Sequence, residues 1–246
     1  MKVLAIIPAR MGSSRFPGKP LAKINNKPMI GHVFERVSSC KLLDKTIVAT
    51  CDNEIREYIQ SLNGEVVMTS KSHERASDRA AEALIYLERK HNIQYDIIVM
   101  VQGDEPMTEP DMIEEAVRPM LDNSLINVVN LCADIKDDSE FKDKNCIKVV
   151  LDKDYNALYF SREPIPYKEK GNKVPMKKQV CIIPFQRDFL FEYQNMSPTP
   201  LEIAESIDMM RVLENGYKVR MVPTAYETHA VDTKDDLEKV ELLMSR

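Results

Sequence analysis

Apolar runs alternate with helically spaced apolar positions through the first half of the chain. The runs that predict strands cover residues 3–7, 46–50, 65–68 and 96–101. The spaced positions that predict helices cover residues 28–39, 53–58, 77–90 and 110–121, and Asn53 is the predicted N-cap of the second helix. This alternation is typical of an α/β fold with a mostly parallel central sheet and flanking helices. The run at 96–101 is apolar throughout, which predicts a central strand.

The second half has a different pattern. It predicts a strand at 127–133 and a β-hairpin from 147–151 and 157–160. A Pro- and Lys-rich stretch at 163–178 is expected to be a mobile excursion, and an apolar run follows at 180–184. The last two predicted helices are one at 201–214 and one that begins at Thr233. No linker-like stretch divides the sequence, so we predict one domain over residues 1–246, with a hairpin and loop subregion at about 146–186.

The loop after the first strand is rich in small residues and holds three cations, Arg10, Arg15 and Lys19. Backbone N–H groups and cations so placed favour a polyanion such as a nucleotide triphosphate. The spacing does not fit the P-loop of ATPases and GTPases, because five residues separate Gly12 from Gly18 and Pro20 follows the lysine where a hydroxyl is needed. The alternative is a solvated basic loop without a ligand.

Two carboxylates are expected at the same edge of the sheet as this loop. Asp104 follows the fourth strand, and Gly103 before it allows a close turn of the backbone toward a ligand. Asp232 lies between a strand predicted at 219–223 and the last helix. Two carboxylates beside a triphosphate would hold Mg²⁺. The alternatives are a turn aspartate for Asp104 and a cap of the last helix for Asp232.

Composition narrows the class of protein. The net charge of −5 disfavours a nucleic-acid binder. No apolar segment approaches the roughly 20 residues of a membrane-spanning helix, so we expect no membrane insertion and a cytoplasmic protein. The five cysteines are odd in number and widely spaced, which predicts reduced thiols.

Several ordered motifs resemble the CMP-ulosonate synthetases, and most closely the 3-deoxy-manno-octulosonate (Kdo) cytidylyltransferase family. The motifs are Ile7-Pro8-Ala9-Arg10, Ser14-Arg15, Pro17-Gly18-Lys19-Pro20-Leu21, Val101-Gln102-Gly103-Asp104-Glu105-Pro106, Ala157-Leu158-Tyr159-Phe160-Ser161-Arg162 and Val231-Asp232-Thr233. The resemblance covers nearly the whole chain. It implies a Rossmann-like nucleotide-diphospho-sugar transferase fold and a homodimer whose hairpin region contributes to the dimer contact and to substrate cover.

The resemblance also implies the reaction and its residues. CTP and a sugar acid would react with Mg²⁺ as cofactor, releasing pyrophosphate and forming a CMP-sugar acid for lipopolysaccharide or capsule synthesis. The catalytic residues would be Arg10, Lys19 and Asp104, and Asp104 and Asp232 would hold the metal. The nucleotide would contact Pro8, Ala9, Arg10, Ser14, Arg15, Lys19, Arg79 and Gln102. From the sequence pattern alone, Arg79 is expected to be a surface charge of a helix.

The sugar-acid half departs from the family pattern. Arg162, Gln179, Asp208 and Met209 are the candidates there, with Arg162 able to fork onto the substrate carboxylate. Gln179 and Ile183 stand where the family carries histidine and tyrosine, Met209 replaces a glutamine, and Ala76 replaces a glycine near Arg79. Three hypotheses stay open: a Kdo-like acceptor, an amino-substituted octulosonate or sialic-like nonulosonate, and a nucleotide-binding homologue without catalysis.

Overall fold

A parallel sheet built on the opening apolar run organises the first part of the molecule. The computed structural model describes residues 1–13, 15–169, 171 and 174–245. Its first strands are β1 (Val3–Ala9), the short antiparallel pair β2 (Lys23–Ile24) and β3 (Lys27–Pro28), β4 (Lys45–Thr50), β5 (Glu65–Met68) and β6 (Ile97–Val101). The strands β6, β1, β4 and β5 lie in that order and are mutually parallel. The predicted parallel sheet is therefore confirmed.

Helices connect these strands as the apolar spacing predicts. They are α1 (Met29–Ser38), α2 (Asn53–Ser61) and α3 (Ala76–His91), followed by α4 (Pro110–Asp122). The helix α1 packs on β4, and α3 packs on β1. The last helix, α9 (Lys234–Met244), begins with a capping box in which Thr233 and Asp236 bond each other's backbone N–H groups.

The strand order places a topological switch point between β1 and β6. The chain runs from β1 outward to β4 and β5, and then returns to the other side of β1 with β6. In open α/β sheets, ligands bind beyond the carboxyl ends of the strands at such a point. The loops that follow Ala9 and Val101 meet there, and these loops carry the candidate nucleotide residues.

The outer strand β5 begins at a charged surface network. Lys45, Lys90 and His91 all contact the carboxylate of Glu65, at 2.5, 2.9 and 3.0 Å. Partial burial alone would raise the pKa of Glu65, but the hydrogen bonds from these cations outweigh it and lower the pKa to about 2. The network holds the end of the sheet to the end of α3.

The chain forms two compact units, one of Met1–Glu114 with Glu227–Arg246 and one of Glu115–Tyr226. The second unit contains β7 (Val129–Asp134), α5 (Asp138–Lys142), β8 (Lys148–Leu151), β9 (Ala157–Ser161), β10 (Lys177–Val180), β11 (Ile182–Gln186), α6 (Arg187–Asn195), α7 (Pro200–Glu205), α8 (Met209–Glu214) and β12 (Arg220–Pro223). Its sheet has the order β12–β7–β10–β8–β9. The predicted β8–β9 hairpin is confirmed. The prediction of one domain means that the two units do not fold independently of each other. It stays a prediction.

One expectation about this unit is wrong, and the bounds of another change. The predicted helix at 201–214 is divided into α7 and α8, because Ser206 adopts a left-handed conformation with φ of +55°. The buried Arg211 in α8 joins the two helices by donating to both carboxylate oxygens of Glu202 in α7 at 2.7 Å. The last two residues of the excursion predicted at 163–178 belong to β10, where Lys178 is buried and pairs with Glu140. The mobility of the excursion stays a prediction.

The apolar run at 180–184 is divided between two strands. The strand β10 ends at Val180 and β11 begins at Ile182, so Cys181 lies at the break. All five cysteines are free thiols. Burial raises the pKa of Cys132 and of Cys146 to about 11, which fits unreactive thiols. Within the described residues, every helix is too short or too polar to cross a bilayer.

Candidate nucleotide and metal site

The loop after β1 is fixed by contacts with its own backbone and with the end of β4. The N–H groups of Ser13 and Gly18 both donate to the carbonyl of Met11 at 3.0 Å. Gly18 has φ of +75°, a conformation that costs glycine little. The N–H of Met11 donates to the carboxylate of Asp52 at 2.7 Å. The loop is therefore a folded-back turn anchored to the neighbouring strand.

That anchor corrects one expectation about α2. The sequence pattern predicts Asn53 as its N-cap, whereas Asn53 is the first helical residue and Asp52 precedes it. The Asp52 side chain makes no capping bond to the helix. Its carboxylate instead holds the loop at Met11, because parallel strands bring the ends of β1 and β4 to the same edge.

The two predicted carboxylates converge on the ammonium group of Lys19. Lys19 Nζ lies 2.7 Å from Asp104 Oδ2 and 3.2 Å from Asp232 Oδ1. Arg15 Nη2 lies 2.9 Å from the same Asp232 oxygen. Desolvation alone would lower the pKa of Lys19, but the charges of Asp104 and Asp232 outweigh it and raise that pKa. The site thus holds two carboxylates balanced by two cations.

The alternatives for the two carboxylates are not what the structure shows. Asp104 lies in a turn, yet its side chain points to Lys19, while its backbone carbonyl accepts from the N–H of Val231 at 2.9 Å. The last helix is capped by Thr233, not by Asp232. A tertiary contact therefore directs both carboxylates to one place.

Gly103 makes this convergence sterically feasible. A Cβ at this position would lie 3.0 Å from the carbonyl oxygen of Pro8 and 3.2 Å from the side chain of Ile30. The sequence pattern predicts that Gly103 allows the backbone to approach a ligand, which stays a prediction, and its close neighbours within the protein are the end of β1 and α1. A glycine is needed so that the ends of β1 and β6 can pack together.

Arg79 is buried rather than a surface charge of α3. It is 2% exposed, its Nη1 donates to Thr69 Oγ1, and its Nη2 donates to the carbonyl of His73 at 3.4 Å. His73 in turn contacts Glu82 at 2.5 Å. These bonds tie the segment between β5 and α3 to the helix. The surface-charge interpretation of Arg79 is therefore wrong.

One cavity of about 280 Å³ brings the candidates of this unit together. Its walls include nine of the predicted residues: Pro8, Ala9, Arg10, Arg15, Lys19, Arg79, Gln102, Asp104 and Asp232. Ser14, the other predicted nucleotide contact, lies outside the described residues. Sequence reasoning missed His73, Glu74 and Arg75, which also line the cavity. The signal for them was available, because a loop after the parallel strand β5 reaches the same sheet edge.

The donor set suits a small hard cation that shares its shell with a ligand. Within the described residues, no group of three or more His, Cys, Asp or Glu side chains forms a self-sufficient metal site. Asp104 and Asp232 nevertheless face one positive charge together, that of Lys19. Mg²⁺ characteristically takes one or two carboxylates and completes its shell with phosphate oxygens and water. The two carboxylates therefore fit magnesium in the presence of a polyphosphate.

The remaining candidates belong to the second unit, where Gln179 lies on β10. Its Nε2 donates to Oδ1 of the buried Asn130 at 2.5 Å. Ile183 and Met209 are 3% and 0% exposed, so both are apolar core residues. Asp208 is half-buried and directly precedes α8, and its carbonyl accepts a hydrogen bond from Tyr193 at 3.3 Å.

Arg162 is engaged by backbone carbonyls. Its Nε donates to the carbonyl of Glu205 at 2.8 Å, Nη1 to that of Lys144 at 2.9 Å and Nη2 to that of Ser206 at 3.2 Å. These bonds hold the break between α7 and α8, just before Asp208. A substrate carboxylate that binds Arg162 would have to share or replace these carbonyls.

Comparisons with known proteins agree with this geometry. The cytidylyltransferase family model matches residues 4–221. The chain is 44% identical to the 3-deoxy-manno-octulosonate cytidylyltransferase of Geobacter metallireducens, covering 100% of this chain and 99% of the relative. It is 45% identical to the enzyme of the same name from Geotalea uraniireducens, covering 98% of each.

A solved structure extends the similarity to three dimensions. The structure of CMP:2-keto-3-deoxy-manno-octonic acid synthetase complexed with CTP superposes on this chain with a TM-score of 0.89 at 38% identity. The match covers 100% of this chain and 99% of the other. The nucleotidyltransferase type of fold predicted from the motifs is therefore confirmed.

Proposed function

Because this chain belongs to the 3-deoxy-manno-octulosonate cytidylyltransferase family, we propose that it transfers CMP from CTP to the anomeric hydroxyl of Kdo or a Kdo-like acid. Pyrophosphate is the second product. The observation that carries the proposal is the convergence of Lys19, Asp104 and Asp232 in a cavity at the switch point of the sheet. The CMP-sugar acid would serve lipopolysaccharide or capsule synthesis in the cytoplasm.

The cations of the β1 loop are proposed to bind the triphosphate. Arg10 and Arg15 are exposed at the cavity, and Lys19 lies deeper, with 12% of its side chain exposed. When a triphosphate enters, its oxygens would replace Asp104 and Asp232 as partners of Lys19. Charge placed in advance stabilises the negative charge that accumulates on the leaving pyrophosphate.

The nucleoside half is proposed to lie against Pro8, Ala9, Gln102 and Arg79. Pro8 and Ala9 end a buried strand, and Arg79 is held rigidly by Thr69 and the carbonyl of His73. Rigid groups of this kind position a bound nucleotide without losing much conformational entropy. Ser14 stays a proposed contact on the grounds of the resemblance alone.

Asp104 and Asp232 are proposed to hold Mg²⁺ when the nucleotide is bound. The ion would supply Lewis-acid stabilisation of charge at the α-phosphate and favour ionisation of the anomeric hydroxyl. The chain's part is to hold the two carboxylates close together: the backbone bond from Val231 fixes Asp104, and the capped start of α9 fixes Asp232. Lys19 and Arg15 lower the cost of bringing the two negative charges together.

The acid is proposed to bind through residues of the second unit, Gln179 and Asp208 among them. Two positions that the family makes polar are the buried apolar residues Ile183 and Met209. A site built with fewer polar groups discriminates against hydroxyls that it leaves without partners. A substrate test should therefore include an amino-substituted octulosonate and a sialic-like nonulosonate as well as Kdo.

Pyrophosphate release from CTP with Mg²⁺ and a panel of these sugar acids tests the proposal. Turnover with Kdo is the expected result, and turnover with another acid alone would reassign the acceptor. Binding of CTP without turnover of any acid would refute the transferase and leave a nucleotide-binding protein. Asp104→Asn should abolish turnover while thermal unfolding stays close to wild type, and a near-normal rate would remove Asp104 from the proposed metal site.

A homodimer that uses the β8–β9 hairpin is the second part of the proposal. Leu158, on the strand β9 at the edge of its sheet, is 59% exposed, and Tyr155 in the hairpin turn is 48% exposed. Exposed apolar side chains at a sheet edge favour association with a partner. Light scattering should find a dimer that Leu158→Lys weakens, whereas Leu242→Lys, at a 62% exposed position on α9, should not. A monomeric wild type would refute this part.

A further inference from the structure

Asn130 is a buried polar side chain on an interior strand of the second sheet. It lies on β7, is 0% exposed, and uses its Nδ2 group twice, donating to the carbonyl of Leu131 at 2.9 Å and to that of Val180 at 2.6 Å. The two ends of an amide have nearly the same shape, so its orientation is decided by its partners. Two carbonyl partners fix the NH₂ end, and the Oδ1 end therefore points the other way.

Asn130 Oδ1 faces the side chain of Gln179. Gln179 pairs with Cys132 across the strands, which places its side chain diagonally beside Asn130 on the same face. The facing atom of Gln179 must be a donor, and Nε2 lies 2.5 Å from Asn130 Oδ1. The Oε1 atom of Gln179, which can only accept hydrogen bonds, is consequently turned away from Asn130.

We propose that Asn130 is a positioning residue for the sugar acid, which it serves by holding Gln179 with its carbonyl oxygen presented to the acid. This inference rests on the proposed function, in which Gln179 contacts that substrate. An amide oxygen so presented accepts a hydrogen bond from a hydroxyl or an ammonium group and repels a carboxylate. Gln179 thus recognises a donor of the acid and not its carboxylate.

The energetics of the buried position support this role. A buried amide loses its hydration on folding, and its protein hydrogen bonds recover only a modest net stabilisation. Leucine has the same number of side-chain heavy atoms and the same branching at Cγ, and it carries no polar group that must be desolvated. The polar side chain at 130 is therefore better explained by the orientation that it imposes on Gln179 and on the end of β10 than by packing.

A double-mutant cycle tests the inference with whichever acid the wild type turns over. Asn130→Leu and Gln179→Leu should each raise KM for the acid by about three- to tenfold, the range expected for one hydrogen bond, with KM for CTP unchanged. In the Gln179→Leu background, Asn130→Leu should add nothing, because the side chain that it positions is gone. Additive effects, or an unchanged KM for the acid, would overturn the proposal.

A matched control separates positioning from general destabilisation. Val129 precedes Asn130 on β7, is 0% exposed, and points to the opposite face of the strand. Val129→Ala should lower the melting temperature without changing KM for the acid. An equal rise of KM in that variant would show that Asn130 acts through stability alone.

A second variant keeps the test decisive if Asn130→Leu does not fold. Gln179→Glu leaves Asn130 in place but puts a carboxylate, which cannot donate, beside Oδ1 of Asn130. The KM for the acid should therefore rise at least as much as in Gln179→Leu. A wild-type KM in Gln179→Glu would overturn the inference while the transferase proposal stands. No pyrophosphate release by the wild type with any acid would overturn both.

Discussion

Replacing Lys19 by methionine should damage catalysis far more than folding. Methionine keeps the apolar stem and removes the ammonium group that contacts Asp104 at 2.7 Å and Asp232 at 3.2 Å. At an effective dielectric constant of about 20, each such contact is worth about 4 kcal/mol or more before desolvation is subtracted. Lys19 is largely buried and its carboxylate partners are partly exposed, so we expect a net loss of about 1–3 kcal/mol in the free energy of unfolding.

The larger effect should be on the reaction with CTP. In the proposed complex Lys19 faces the triphosphate, and losing one preorganised donor to developing charge costs about 100- to 1,000-fold in rate. Initial rates of pyrophosphate release at varied CTP concentrations give kcat and KM, and urea denaturation gives the stability. We expect the fall in kcat/KM for CTP to come at least partly from kcat, since the charge on pyrophosphate grows in the transition state.

A matched control separates the effect of losing the charge at Lys19 from the effect of losing any one positive charge. Lys23→Met removes the same charge from an exposed residue of β2 and should leave both kinetic constants unchanged. If Lys19→Met kept the wild-type kcat/KM for CTP, Lys19 would not contact the triphosphate. An equal loss in both variants would point instead to long-range electrostatics.

Two further predictions follow from packing and from a shifted pKa. Gly103→Ala should destabilise the protein by about 1–3 kcal/mol in urea denaturation, because the new Cβ meets the rigid carbonyl of Pro8, whereas Gly12→Ala meets no atom within 4 Å and should be neutral. The pKa of Glu65 falls on folding to about 2, so its contribution of about 1–2 kcal/mol is complete above pH 4.5 and is lost as pH falls toward 2. The stability difference between wild type and Glu65→Gln should shrink over that window, and a difference independent of pH would contradict the assignment.

Local pattern was sufficient for most elements of the first unit. The strands β4 and β5 and the helices α1 and α3 lie within one or two residues of their predicted bounds, because apolar periodicity there coincides with burial. Pattern failed where a single backbone conformation decided the outcome. Ser206 has no signal in composition that predicts its left-handed φ, and so the helix predicted at 201–214 is divided.

In the candidate site too, local pattern was sufficient for some residues and failed for others. The cations of the β1 loop and Asp104 could be recognised as a group because parallel strands end at a common edge. Arg79 could not be placed from spacing alone, since a helix position does not reveal whether the loop before the helix will cover it. Asn130 gave no signal, because a lone asparagine in an apolar strand gains its meaning only from Gln179, 49 residues away along the chain.

The sequence by itself determined the α/β alternation, the family, and the residue types that gather at the edge of the first sheet. These features are local in the chain or are carried by ordered motifs. Only the tertiary structure decided that Lys19 lies between Asp104 and Asp232, that Asp52 anchors the β1 loop, and that Asn130 orients Gln179. Each of these depends on a hydrogen bond between residues far apart in sequence, whose geometry is set by strand order and register.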